Sequence, residues 1–165
     1  MMDKFALWKS TLASQGDGLD GPREILRQSF LSFRDRVAAL VSTIGSEIPN
    51  LTVHDITHLD ALWRVANEIA GPQCKLNAAE AYVLGGAFLL HDAAHVIAAY
   101  PGGLNEIRQT THWQDLISQR YGGNEPAPGS PEATSALFQI LRQLHAERAE
   151  RLAWMKWTLP VAPEV

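Results

Sequence analysis

The chain has 165 residues, of which 46% are hydrophobic and 19% charged. That length and apolar content suffice to bury one core without disulfides, and they exclude the disordered and collagenous classes. The formal charge of −4 excludes a general nucleic-acid or anionic-membrane surface, whereas a small anionic substrate needs only a local positive centre such as a metal ion.

Met1 to Ser10 carries Asp3 and no long apolar stretch, so it does not read as a secretory signal. The lone Cys74 fits a reducing compartment, and a cytoplasmic protein is expected. The pattern predicts one all-α domain over 1–165, with its core in 20–158 and an irregular tail in 159–165. Pro22 stands where a first helical residue should. Ile25, Leu26, Phe30, Phe33, Val37, Leu40, Val41 and Ile44 then follow at helical spacing, with Gly45 as the expected stop.

After Ile48-Pro49-Asn50 come two overlapping capping signatures, Thr52-x-x-Asp55 and Thr57-x-x-Asp60. The second precedes the amphipathic run Leu59, Leu62, Trp63, Ala66, Ile69 and Ala70, closed by Gly71-Pro72. This predicts a helix starting near His58 and leaves His54 in the lead-in turn. Asn77 is placed to cap a helix from Ala78 to Leu90 that is apolar nearly all round and is expected to be central and buried.

His91-Asp92 falls at the end of that helix. The apolar run from Ala81 to Tyr100 approaches membrane-spanning length, but it holds His91, Asp92 and His95, and a carboxylate deep in lipid is costly. A core helix is therefore expected, and no membrane. Pro101-Gly102-Gly103 breaks the chain before a more polar helix from Leu104 to Tyr121, and Gly122 to Pro131 is a loop. Ser130-Pro131-Glu132 then starts the longest helix, expected to reach Trp157, with Arg148 in the middle of its apolar face and His145 at the edge.

An ionised Asp92 beside the most apolar helix must be paired, hydrogen-bonded or metal-bound. His91 is adjacent, and His95 returns to the same side if the helix continues. Imidazole nitrogen with carboxylate oxygen suits zinc, iron, manganese or nickel. The alternative is that Asp92 caps a following helix and His91 is a satisfied core histidine. Of the pair His54 and His58, His58 on the first helical turn is the better ligand candidate, while Asp55 reads as turn chemistry. Arg148 requires an anionic partner, either a carboxylate of this domain or a bound phosphate. His112 has no constellation around it and reads as surface.

The order His58, His91-Asp92 and His145 resembles the HD superfamily of metal-dependent phosphohydrolases. A closer resemblance is to the HD-CE group, in which such a domain often precedes an ATPase module of the gyrase and histidine-kinase type. Its text here is Leu51-Thr52-Val53-His54-Asp55 with His58, Asn77 to Ala81 leading to Leu89-Leu90-His91-Asp92, Ala99 to Leu104, and Leu141 to Arg148. The resemblance implies a helical bundle holding a divalent metal, Mn, Fe, Zn, Ni or Mg. The ligands would be His58, His91, Asp92 and one of His95, His54 or His145. It further implies that Asp92 orients the attacking water and that Arg148 or His145 holds phosphate, in hydrolysis of a phosphomonoester, phosphodiester or nucleotide.

Two departures qualify this. Relatives tend to have glycine and then a non-histidine after the doublet, where this chain has Ala93-Ala94-His95. The family's closing aspartate is expected beyond His145, yet no Asp follows Glu150, so the chain reads as the front part of an HD domain. The second reading is a degenerate module that binds metal or nucleotide without turnover, as a sensor or contact surface for an ATPase partner. A merely structural helical domain is the third.

Overall fold

Helical periodicity is realised throughout: in the computed structural model, which describes residues 2–47, 55–71 and 73–157, every regular element is a helix. After a 3-10 turn at Met2–Lys4 come α1 (Ala6–Thr11), α2 (Asp20–Val41), α3 (Ile44–Glu47), α4 (Ile56–Ala70) and α5 (Ala78–Leu90). A second 3-10 turn at Ile97–Ala99 leads to α6 (Gly103–Arg108), α7 (Thr111–Tyr121) and α8 (Pro131–Leu152). No described helix is long and apolar enough to cross a membrane.

The chain divides into two compact units, one from Met1–Ala38 with His54–Leu89 and the other from Ala39–Val53 with Leu90–Val165. The first is built on aromatic residues. Trp8, Phe30 and Trp63 meet edge to face with centroids 5.3 to 5.8 Å apart, and Phe88 joins Trp63 at 5.7 Å. Each such pair contributes roughly 0.5–1.5 kcal/mol beyond its area. Trp8 comes from α1, ahead of the residue where the sequence reading starts the core, and Leu7 and Leu12 are buried with it. Asn67 Oδ1 accepts from the Leu7 amide at 2.9 Å, fastening α1 to α4. Arg34 grips Asp60 through Nε at 2.8 Å and Nη2 at 2.5 Å, fastening α2 to α4.

Several boundaries depart from expectation. α2 ends at Val41 and Gly45 lies inside α3, because the hydroxyls of Ser42 and Thr43 donate to the carbonyls of Ala39 and Leu40 in its last turn. The cap of α4 is Asp55, whose Oδ1 accepts from the amides of Thr57 at 2.8 Å and His58 at 3.3 Å. Thr57, the expected cap, is itself helical. The expected signature through Thr52, like His54, lies outside the described residues.

α5 has the expected bounds and a full capping box: the Glu80 amide donates to Asn77 Oδ1 at 2.9 Å and the Asn77 amide to Glu80 Oε2 at 2.8 Å. It is not buried all round, however. Ala81, Gly85 and Leu89 form its buried stripe, whereas Val83 is 69% exposed.

In the second unit the expected helix from Leu104 to Tyr121 is two helices. Thr110 accepts from the Trp113 amide and starts α7 afresh. Gly122 closes α7 in the left-handed conformation, and Glu125 anchors the following loop by accepting from Trp113 Nε1 at 3.0 Å and pairing with Arg108 at 3.1 Å. Ser130 caps α8, which stops at Leu152 rather than Trp157 and buries Ala136, Ile140, Leu141, Leu144, Ala149 and Leu152.

Candidate metal centre

The apolar stripe of α5 delivers His91 and Asp92 just past its last turn. The helix stops at Leu90, where its end was expected. Two tight turns follow it, with the Ala93 amide donating to the Leu90 carbonyl at 3.0 Å and the His95 amide to the Asp92 carbonyl at 3.1 Å. These turns nonetheless bring His95 back to Asp92, with Nε2 3.7 Å from Oδ1, while His91 Nε2 lies 2.9 Å from Oδ2. Asp92 is 8% exposed and His95 4%, and Ala93 and Ala94 between them are fully buried.

α8 supplies the third element. The His145 ring stacks on His95, centroids 4.3 Å apart and planes 18° from parallel. His145 Nδ1 lies 2.8 Å from the Arg142 carbonyl oxygen. A carbonyl only accepts, so Nδ1 carries the proton and the Nε2 lone pair is left to bind a ligand. One ligand atom each from Asp92, His95 and His145 falls within 4.8 Å of the others.

Charge states match that use. Burial pushes the Asp92 carboxyl up, but the neighbouring His91 and His95 side chains outweigh it and hold the group well below the usual carboxylate range. Burial draws His145 below the ordinary histidine value, opposed by the Arg142 carbonyl and aided by the neighbouring His95. The site thus presents an ionised carboxylate and a neutral imidazole, the forms a metal requires. Two nitrogens and one oxygen from three residues fit zinc, iron, manganese or nickel and leave coordination positions for water and substrate.

Arg148 has the carboxylate partner weighed from sequence. It forms an ion pair with Glu106, and its guanidinium lies 4.5 Å above the Tyr100 ring. Sequence reasoning required an anion there but could not choose among the acids, and it gave Tyr100 no part. Of the remaining expected residues, His58 lies in the first turn of α4 in the first unit, and His112 is exposed. A cleft of about 610 Å³ in the first unit, lined among others by Leu7, Ser10, Asn67, Cys74 and Lys75, includes no histidine and no carboxylate.

A helical chain that gathers further histidines around a helix-terminal His-Asp doublet is a domain of the HD class. The chain belongs to the HD-CE family, which it matches over residues 48–164. No curated protein and no solved structure matches it.

Proposed function

We propose that the protein is a metal-dependent phosphohydrolase of the HD type, acting on a phosphomonoester or phosphodiester bond such as that of a nucleotide. The observation that carries this reading is the cluster of Asp92, His95 and His145, buried or half-buried, with ligand atoms within 4.8 Å. A divalent ion at these atoms supplies positive charge to phosphate oxygens and makes water at the site more acidic. Asp92, ionised, would hold the ion and help orient the attacking water.

His145 supplies Nε2 as a ligand. Its Nδ1–H bond to Arg142 fixes the ring, the usual arrangement of a ligating histidine. His91 and His58 join the ligand set on the family resemblance, and the same resemblance assigns an ATPase module as partner. The single cysteine, exposed Cys74, suits a cytoplasmic setting.

Metal analysis of the purified chain is the first test. Asp92→Ala and His145→Ala are expected to lower the metal content while wild type retains it, and equal content in all three would sink the metal centre. His58→Ala and His91→Ala measure the ligands assigned by resemblance. Hydrolysis of a nitrophenyl phosphodiester and of nucleotides with added manganese is then expected to fall by at least about 100-fold in Asp92→Ala, in line with the share of a barrier that metal and general-base groups carry. Metal binding without turnover would instead support the sensor reading.

A further inference from the structure

We infer that Tyr100, Arg148 and Glu106 form one positioning device that holds the segment from Asp92 to Tyr100 against α8, so that the His95 ring lies on the His145 ring. The inference rests on reading that cluster as a metal centre, and all its parts lie in the second unit.

Arg148 follows His145 by one turn of α8, on the same side of the helix. Its side chain is 11% exposed and engaged on two sides, by the Glu106 carboxylate and by the face of Tyr100. Tyr100 is itself buried, and its hydroxyl donates to the carbonyl of Ala94, the residue before His95. Burial, together with the charges of Glu106 and Glu147, pushes this phenol upward against the pull of Arg148, so it stays protonated and able to donate. Glu106 also accepts from the Gly102 amide at 2.9 Å. That approach leaves no space for a side chain at Gly102, where a Cβ would fall 2.8 Å from the Cβ of Glu106.

The contacts close a loop: His145 to Arg148 along α8, Arg148 to Tyr100 through the ring face, Tyr100 to Ala94 through the hydroxyl, and His95 back to His145 by stacking. None of the three residues supplies a ligand atom to the cluster. Groups that orient ligands in this way typically change metal affinity 10- to 100-fold when removed, roughly the range expected here.

The test compares Arg148→Met and Tyr100→Leu with the milder Glu106→Gln, Tyr100→Phe and Arg148→Lys. Manganese or cobalt affinity is expected to fall about 10- to 100-fold in the first two. Tyr100→Phe keeps the ring under the guanidinium but removes the hydroxyl that holds Ala94, so it is expected to lose part of the affinity, whereas Arg148→Lys, which keeps a cation over the ring, is expected to retain most of it.

A second readout needs no metal. The carbon-bound ring protons of His95 and His145 shield one another when stacked, and in the metal-free protein their resonances are expected to move downfield in Tyr100→Leu and Arg148→Met. Folded variants with wild-type affinity and unmoved ring protons would overturn the proposal. Should Arg148→Met or Tyr100→Leu fail to fold, Glu106→Gln decides: an unchanged affinity and unchanged ring protons there overturn it equally. Wild type that binds no metal, yet whose ring protons respond to the variants, removes the metal reading and leaves the positioning intact.

Discussion

Gly85 and Gly86 are neighbours of the same type in one helix, and they carry opposite expectations. A Cβ at Gly85 would lie 2.5 Å from both the Phe30 and Trp63 rings, which are fully buried and have nowhere to move. At Gly86 the nearest atom is a Phe33 ring carbon at 3.9 Å, an ordinary contact. Replacing a helical glycine by alanine gains about 1 kcal/mol of helix propensity. Overpacking a core costs about 1–3 kcal/mol, so Gly85→Ala is expected to destabilise and Gly86→Ala to stabilise by up to about 1 kcal/mol. Urea midpoints at constant m would check both, and equal shifts would refute the packing argument. The sequence showed the glycine pair, but which member faces Trp63 depends on the rotation of α5. The doublet at His91-Asp92 was legible for a different reason: a carboxylate beside an apolar helix needs a partner in any packing.

At the scale of elements, most helices were readable and their ends were less so. The Asn77 cap and the Ser130-Pro131 start were correctly placed because capping is local chemistry between residues close in sequence. Competing local signals produced the misses, as at α4, where Asp55 and Thr57 both have capping side chains and Asp55 takes the role. Asp55→Ala is expected to cost about 1 kcal/mol, whereas Asp55→Asn should cost little.

The Thr57 hydroxyl, which donates to Asp55 at 2.5 Å, and the amides of Thr57 and His58 together hold the Asp55 carboxyl below its usual range despite slight burial. A depressed folded-state pKa means that this stabilisation is present above the unfolded value of about 3.9 and is lost as pH falls through the lower folded one. The gap between wild type and Asp55→Ala in denaturant melts should therefore be full at pH 7 and shrink in acid. A gap independent of pH would show that the cap acts without its charge. The division of the expected helix from Leu104 to Tyr121 had a readable cue too, since Thr110 precedes a helical run, but the apolar spacing on either side masked it.

For the molecule as a whole, a metal centre built on Asp92, His95 and His145 ties stability to the ion. A ligand that binds only the folded state stabilises by RT ln(1 + [L]/Kd), about 2.7 kcal/mol at a hundred times Kd. In a chain of this size one kcal/mol moves the midpoint by about 2–4 °C, so saturating metal should raise Tm by roughly 5–10 °C. Chelator should reverse the rise. Asp92→Ala and His145→Ala should abolish most of it, and Gly86→Ala, which replaces no candidate ligand, should shift the curve with and without metal alike. Acid should weaken the effect, because protons compete for the histidine nitrogens. His145, drawn down by burial, holds off that competition to a lower pH than an exposed histidine would. Scanning calorimetry of EDTA-treated protein with added manganese, zinc, nickel or ferrous iron reads all of this at once. A midpoint unmoved by every ion, with the helical signal intact, would mean that the carboxylate and its histidines are held together for structure alone.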